Sequence, residues 1–133
     1  KKIFMGKKDF QQLFLVKNFI EKKYQTKVIG CKTIRDKNKL ALSSRNILFN
    51  KDNLETARNI SKSFFLIKKK IEKHKNIEKF LLETKKKMQK KFKIKIEYLE
   101  LRNEKNLNVS KKFKGSKLFV AYYLKDIRLI DNF

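Results

Sequence analysis

Two short clusters in this chain combine the residue types that hold phosphate: Gly6-Lys7-Lys8-Asp9 and Ser43-Ser44-Arg45. A polyphosphate needs hydrogen-bond donors for its oxygens, positive charge, and backbone that can come close. Gly6 offers the close approach, Lys8 adds a point charge, and Asp9 can accept from ribose hydroxyls or cap a helix. In the second cluster two hydroxyls and a guanidinium stand in sequence, a set that can hold a phosphate chain as a mobile catalytic loop does. Lys8, Ser43, Ser44 and Arg45 are therefore the candidates for stabilising charge on phosphate during a reaction. The bland alternatives are a basic turn, ordinary in a chain with 32 lysines, and a polar interdomain turn.

The elements that must position these clusters can be read from spacing. Residues 2–5 form an apolar strand stopped by Gly6, with Asp9 at the expected helix N-cap. Leu13, Phe14, Val16, Phe19 and Ile20 then recur at intervals of three and four, which predicts an amphipathic helix fading in Glu21-Lys22-Lys23. Residues 27–31 read as a second strand. Strand, glycine turn, helix and strand make one βαβ unit, and such a unit belongs to a parallel sheet that needs further strands.

Beyond Asn46 the pattern changes. A helix is predicted over residues 50–70, with Asn50 or Asp52 as cap and Leu54, Ala57, Ile60, Phe64, Phe65 and Ile67 on its apolar side. A second helix follows over 76–91, then strands over 92–101, 117–124 and 127–130. The fold class is thus α/β: the end of a Rossmann-like domain, residues 1–47, followed by a small α+β domain, residues 48–133, with two helices and a three-stranded antiparallel sheet. The serine-rich cluster sits at the junction, where ligand sites often form.

Composition bounds the function. The formal net charge is +24, which raises the possibility of a nucleic-acid or anionic-surface binder. Yet only five of the 37 basic residues are arginine, Lys, Asn, Ile and Phe are all abundant, and Pro is absent, the bias expected of an A/T-rich coding sequence. A dedicated nucleic-acid binder would use more arginine and gather its charge on one face. The lone Cys31 excludes a disulfide framework and a cysteine metal site and favours a cytoplasmic setting. No apolar run approaches the roughly 20 residues of a membrane span, so no membrane partner is expected. The start at Lys1, directly in an apolar strand, reads as a fragment of a longer fold.

Taken together, the run from Phe4 to Leu13, Val28-Ile29-Gly30, Thr33-Ile34-Arg35, the run from Leu40 to Asn46, the run from Ile96 to Arg102, and the terminal Arg128-Leu129-Ile130-Asp131-Asn132 resemble the carboxy-terminal half of the pantothenate synthetases (pantoate–β-alanine ligases). The resemblance implies a nucleotidyltransferase-type ligase in which the pantoate carboxylate attacks the α-phosphorus of ATP. Pantoyl adenylate and pyrophosphate result, and the amine of β-alanine then displaces AMP to give pantothenate, a precursor of coenzyme A. It implies ATP as substrate, Mg2+ at the phosphates, a homodimer for the full-length protein, and no residue set of the chain's own for a metal. By position it assigns Gly6, Lys7, Lys8 and Asp9 to ATP, with Lys8 on phosphate and Asp9 on ribose. Gln12 falls to pantoate, the Ile34 backbone to adenine, and Leu42, Ser43, Ser44 and Arg45 to the loop that clamps the triphosphate.

This chain departs from the family pattern at Lys7, usually acidic, at Lys32, usually proline, and at Lys39 and Lys125, usually glycine. Lys39 lies just before the clamp segment, where loss of a glycine would stiffen or reshape its hinge. The family's Pro-Thr-Met-Gly and His-x-Gly-His region, with its catalytic histidine, has no counterpart here, and His74 reads as a solvated bystander. The chain by itself is expected to be inactive. Two rival readings are a basic nucleic-acid-binding module, using Phe113 and Tyr122-Tyr123 as aromatics, and a non-functional remnant of a ligase gene. Core packing is the favoured use of those aromatics.

Overall fold

The computed structural model describes residues 1–133, and its contacts separate into two units, Lys1–Ile34 and Arg35–Phe133. In the first unit, β1 (Lys2–Gly6) leads through a 3-10 turn (Lys7–Asp9) into α1 (Phe10–Lys23), and β2 (Lys27–Cys31) follows. The strands pair in parallel from Lys2↔Lys27 to Gly6↔Cys31, and α1 is the crossover that parallel pairing requires. Gly30 lets α1 come close: a Cβ there would stand 2.9 Å from Leu13 Cδ2 and 3.1 Å from Lys7 Cε. Leu13 and Val28 are the buried apolar residues of this unit, and Glu21 accepts the Val28 N–H at 2.9 Å.

The expected apolar face of α1 is only partly covered. Phe19 stands 58% exposed, with its ring against the edge of Tyr24 and the Lys23 ammonium over both rings. A two-stranded sheet is too narrow to cover such a face.

In the second unit, α2 (Lys51–Ile71) begins at Asn50, whose side chain accepts the Asn53 N–H at 2.9 Å, so Asn50 rather than Asp52 is the cap. Asn76 caps α3 (Ile77–Phe92) in the same way. Strands β3 (Lys95–Asn103), β4 (Ser116–Leu124) and β5 (Ile127–Asn132) form an antiparallel sheet in that order. Phe64, Ile60 and Ile71 of α2 are fully buried, as are Leu101 of β3 and Leu118 and Val120 of β4. Rings of Tyr122 and Phe133 lie 6.0 and 5.9 Å from that of Phe64. This is one apolar layer between helices and sheet.

Strand β3 begins three residues later than the alternation from Phe92 predicts. Phe92 closes α3, Lys93 turns the chain at φ 52°, and a bulge between Ile96 and Tyr98 shifts the inward positions to Leu99 and Leu101. No helix is long and apolar enough to cross a membrane.

Candidate functional site

In the first unit the strand-to-turn junction holds the first cluster. Gly6 has extended backbone, φ −69°, which any residue adopts, and the space its Cβ would fill is open. Its absent side chain therefore leaves room above the backbone, not a special turn. Lys8 Nζ lies 3.7 Å from Asp9 Oδ1. Asp9 stands at the N-cap position of α1 but makes no side-chain capping bond, so its carboxylate is not committed to the helix. Gln12, on the first turn of α1, is exposed, and Ile34 at the end of the unit is 71% exposed.

In the second unit a short hairpin precedes the second cluster. Arg35 and Ala41 form an isolated antiparallel bridge, and Asp36 closes the turn between them. The Asp36 N–H donates to the Leu40 carbonyl, while Asp36 Oδ1 accepts from the Asn38 and Leu40 amides at 2.8 and 3.1 Å. Lys39 occupies the left-handed region at φ 73°, and Lys125, in the two-residue turn between β4 and β5, does so at φ 54°. Both are left-handed positions of the kind that favours glycine, because a Cβ is strained there.

The chain then runs through the exposed Leu42 to a 3-10 helix (Ser44–Leu48), with Ser43 Oγ accepting the Arg45 N–H at 3.3 Å. Ser44 and Arg45 are exposed. Arg45 Nη1 donates to the Arg128 carbonyl of β5 at 2.9 Å, and Asn46 Nδ2 donates to the Ala41 carbonyl at 3.0 Å. Ser43, Ser44 and Arg45 thus lie together at the surface beside the last strand. Their donors meet the chemical needs of a phosphate chain, with one bond of the Arg45 guanidinium spent on the protein.

Two ion pairs flank this segment. Burial works to raise the Asp36 carboxyl, but the Arg58 hydrogen bond, the Leu40 and Asn38 amides and the Arg58 charge together hold it below its ordinary range. The forked bond from Arg128, at 2.8 and 3.0 Å, holds Glu97 low and in turn raises Arg128. Burial pushes the phenol of Tyr122 up, as does the nearby Asp131 charge.

Sequence reasoning missed one pair. Arg35 Nη1 donates to Asp131 Oδ2 at 2.6 Å and Nη2 to Asp131 Oδ1 at 2.8 Å, with side chains only 15% and 7% exposed. Both residues stood inside quoted motifs, but a separation of 96 residues leaves no local signal of their pairing. His74 stacks on Phe80 with centroids 3.9 Å apart. Tyr122 is buried, Phe113 packs partly buried against the core, and Tyr123 is half-buried.

The backbone is that of the pantothenate synthetase fold over 99% of the chain. It matches the Thermus thermophilus pantothenate synthetase with a TM-score of 0.86 at 23% identity, covering 49% of that structure. The Francisella tularensis pantoate-beta-alanine ligase, solved in complex with beta-gamma ATP and beta-alanine, matches with a TM-score of 0.70 at 29% identity, over 99% of this chain and 42% of that one. In sequence, the chain is 34% identical to the pantothenate synthetase of Flavobacterium psychrophilum, over 97% of this chain and 47% of that protein. It is 33% identical to the pantoate–beta-alanine ligase of Lotus japonicus, over 96% and 42%. The pantoate-beta-alanine ligase family model matches residues 1–133, and the chain belongs to that family. It spans about half the length of the curated relatives it matches.

Proposed function

We propose that this chain supplies the ATP-binding part of a pantoate–β-alanine ligase. The supporting observation is family membership along residues 1–133, and in this reading Ser43, Ser44 and Arg45, which lie together at the surface, form the triphosphate clamp. In this reading the clamp hydroxyls and guanidinium, with Lys8, hold the triphosphate while a pantoate carboxylate oxygen attacks the α-phosphorus. The bond to the bridging oxygen breaks and pyrophosphate leaves with the electron pair. Charge grows on the leaving group, so donors fixed there lower the barrier, each by about 3 kcal/mol on the precedent of single oxyanion donors. The amine of β-alanine then attacks the carbonyl carbon of pantoyl adenylate and expels AMP.

Gly6, Lys7 and Asp9 contact the nucleotide, the Ile34 backbone meets adenine, Leu42 lines the clamp, and Gln12 holds pantoate. Magnesium would be held on phosphate oxygens and water, where it neutralises charge. Residues 1–47 then close the nucleotide-binding domain of a cytoplasmic, dimeric full-length enzyme. The chain alone is then inactive, since it spans about half the length of its relatives.

The test uses the protein encoded by the complete reading frame. Pantoate-dependent pyrophosphate release should fall about 100-fold in Arg45→Ala or Ser44→Ala. Unchanged release would remove the clamp assignment. Stop codons upstream in place of a His-x-Gly-His segment would favour the remnant, and steeply salt-sensitive duplex binding would favour the nucleic-acid module.

A further inference from the structure

The clamp segment is short and exposed, yet its base is held by buried charge. Arg35 donates to both oxygens of Asp131 and also to the Asn132 and Lys39 carbonyls, each at 3.0 Å. Its guanidinium lies 5.0 Å from the Phe65 ring centre and 4.9 Å from that of Phe133. One side chain therefore ties α2, the end of β5 and both arms of the hairpin that leads into Leu42. On the outer side Asp36 ties the same hairpin to α2 through Arg58 Nε at 2.8 Å. The Arg128 carbonyl that orients Arg45 belongs to the same strand as Asp131.

We infer that Arg35, Asp131 and Asp36 are positioning residues: they fix the hairpin over residues 35–41 against β5, so that Ser43, Ser44 and Arg45 are pre-arranged for a polyphosphate. Arg35 spends its donors inside the protein and is not itself a phosphate ligand. The benefit is entropic, since a clamp already held in place loses less freedom when it binds. The inference rests on the phosphate role proposed for Arg45.

Charge gives the test its sign. Removing a carboxylate beside an anion site should tighten anion binding if electrostatics alone operated, and should weaken it if the carboxylate positions the clamp. The full 133-residue chain is titrated with inorganic tripolyphosphate while the Arg45 Nε–H resonance is followed by NMR, which ignores binding at scattered surface lysines. In Asp131→Asn the dissociation constant at this resonance should rise about tenfold, with helical circular dichroism unchanged. Asp36→Ala, in a half-exposed turn, should weaken binding in the same direction and decides the matter if Asp131→Asn does not fold. A constant equal to or tighter than that of the unmutated chain overturns the positioning role while leaving Arg45 as a phosphate ligand. An Arg45 resonance that never responds in the unmutated chain overturns the phosphate role itself, and the inference with it.

Discussion

The two units of this chain solve the same problem with unequal means. Arg35–Phe133 closes a three-stranded sheet against two capped helices, and its apolar layer runs from Ala57 through Phe64 to Leu101, Val120 and Phe133. Lys1–Ile34 has one helix on two parallel strands, buries Leu13 and Val28, and leaves Phe4, Leu15 and Phe19 open. Parallel strands are normally covered on both faces, and an isolated pair is marginal. The difference shows where stability resides: Gly6, Asp9 and Gln12, proposed as ligand contacts, sit on the thin unit, whereas the second cluster is braced by the thick one.

The largest predicted effect separates the units directly. Phe64→Ala should cost about 4 kcal/mol in urea unfolding followed by circular dichroism, because it empties the centre of the second core. Leu13→Ala should leave that transition in place and accelerate amide exchange only at residues such as Val28. A Leu13→Ala effect that spreads to β4 would mean that the units unfold as one.

Gly6→Ala probes the other side of the comparison. Nothing within 4 Å meets the new methyl, so the fold should be unchanged. If Gly6 meets the nucleotide as proposed, the same methyl in the full-length protein would crowd the phosphates, and the Michaelis constant for ATP should rise about tenfold, equal to about 1.4 kcal/mol.

Backbone strain gives a smaller, opposite effect. Lys39→Gly and Lys125→Gly should each stabilise the second unit by about 1 kcal/mol, read as a higher melting temperature, because φ values of 73° and 54° suit glycine. A lower melting temperature in both would contradict the strain assignment.

Acid should act gently on the hairpin. Asp36 is held below its ordinary range, so it contributes stability above its unfolded pKa, about 3.9, and loses it as pH falls through the folded value. The Leu40 and Asn38 amides should therefore exchange faster below about pH 4, relative to the intrinsic rate, and Asp36→Asn should abolish that acid-specific change.

Much of this was legible in the sequence. Three- and four-residue spacing marked α1, α2 and α3, and Asn50 was one of two expected caps, whereas Asn76, expected inside the second helix, caps it. The start of β3 was misread because Phe92, Ile94, Ile96 and Tyr98 alternate like one strand, although the first closes a helix. A left-handed residue at Lys93 and a bulge after Ile96 rephase the pattern, and neither has a local signature when lysine stands in the place of glycine. Among the candidate residues, Gly6 and Lys8 in one unit and Ser43, Ser44 and Arg45 in the other stood out by residue type. What holds the clamp did not, since Arg35 meets Asp131 only after the last strand has closed the sheet.

In the proposed reaction pantoate's carboxylate is activated by transfer of AMP from ATP. The most direct measurement gives the full-length protein pantoate labelled with 18O in its carboxylate, together with ATP and β-alanine, and follows the label by mass spectrometry. One 18O should appear in the phosphate of AMP, because the oxygen that attacked phosphorus stays there when the amine displaces it. Label in inorganic phosphate with ADP as co-product, or none in AMP while pantothenate forms, would contradict it.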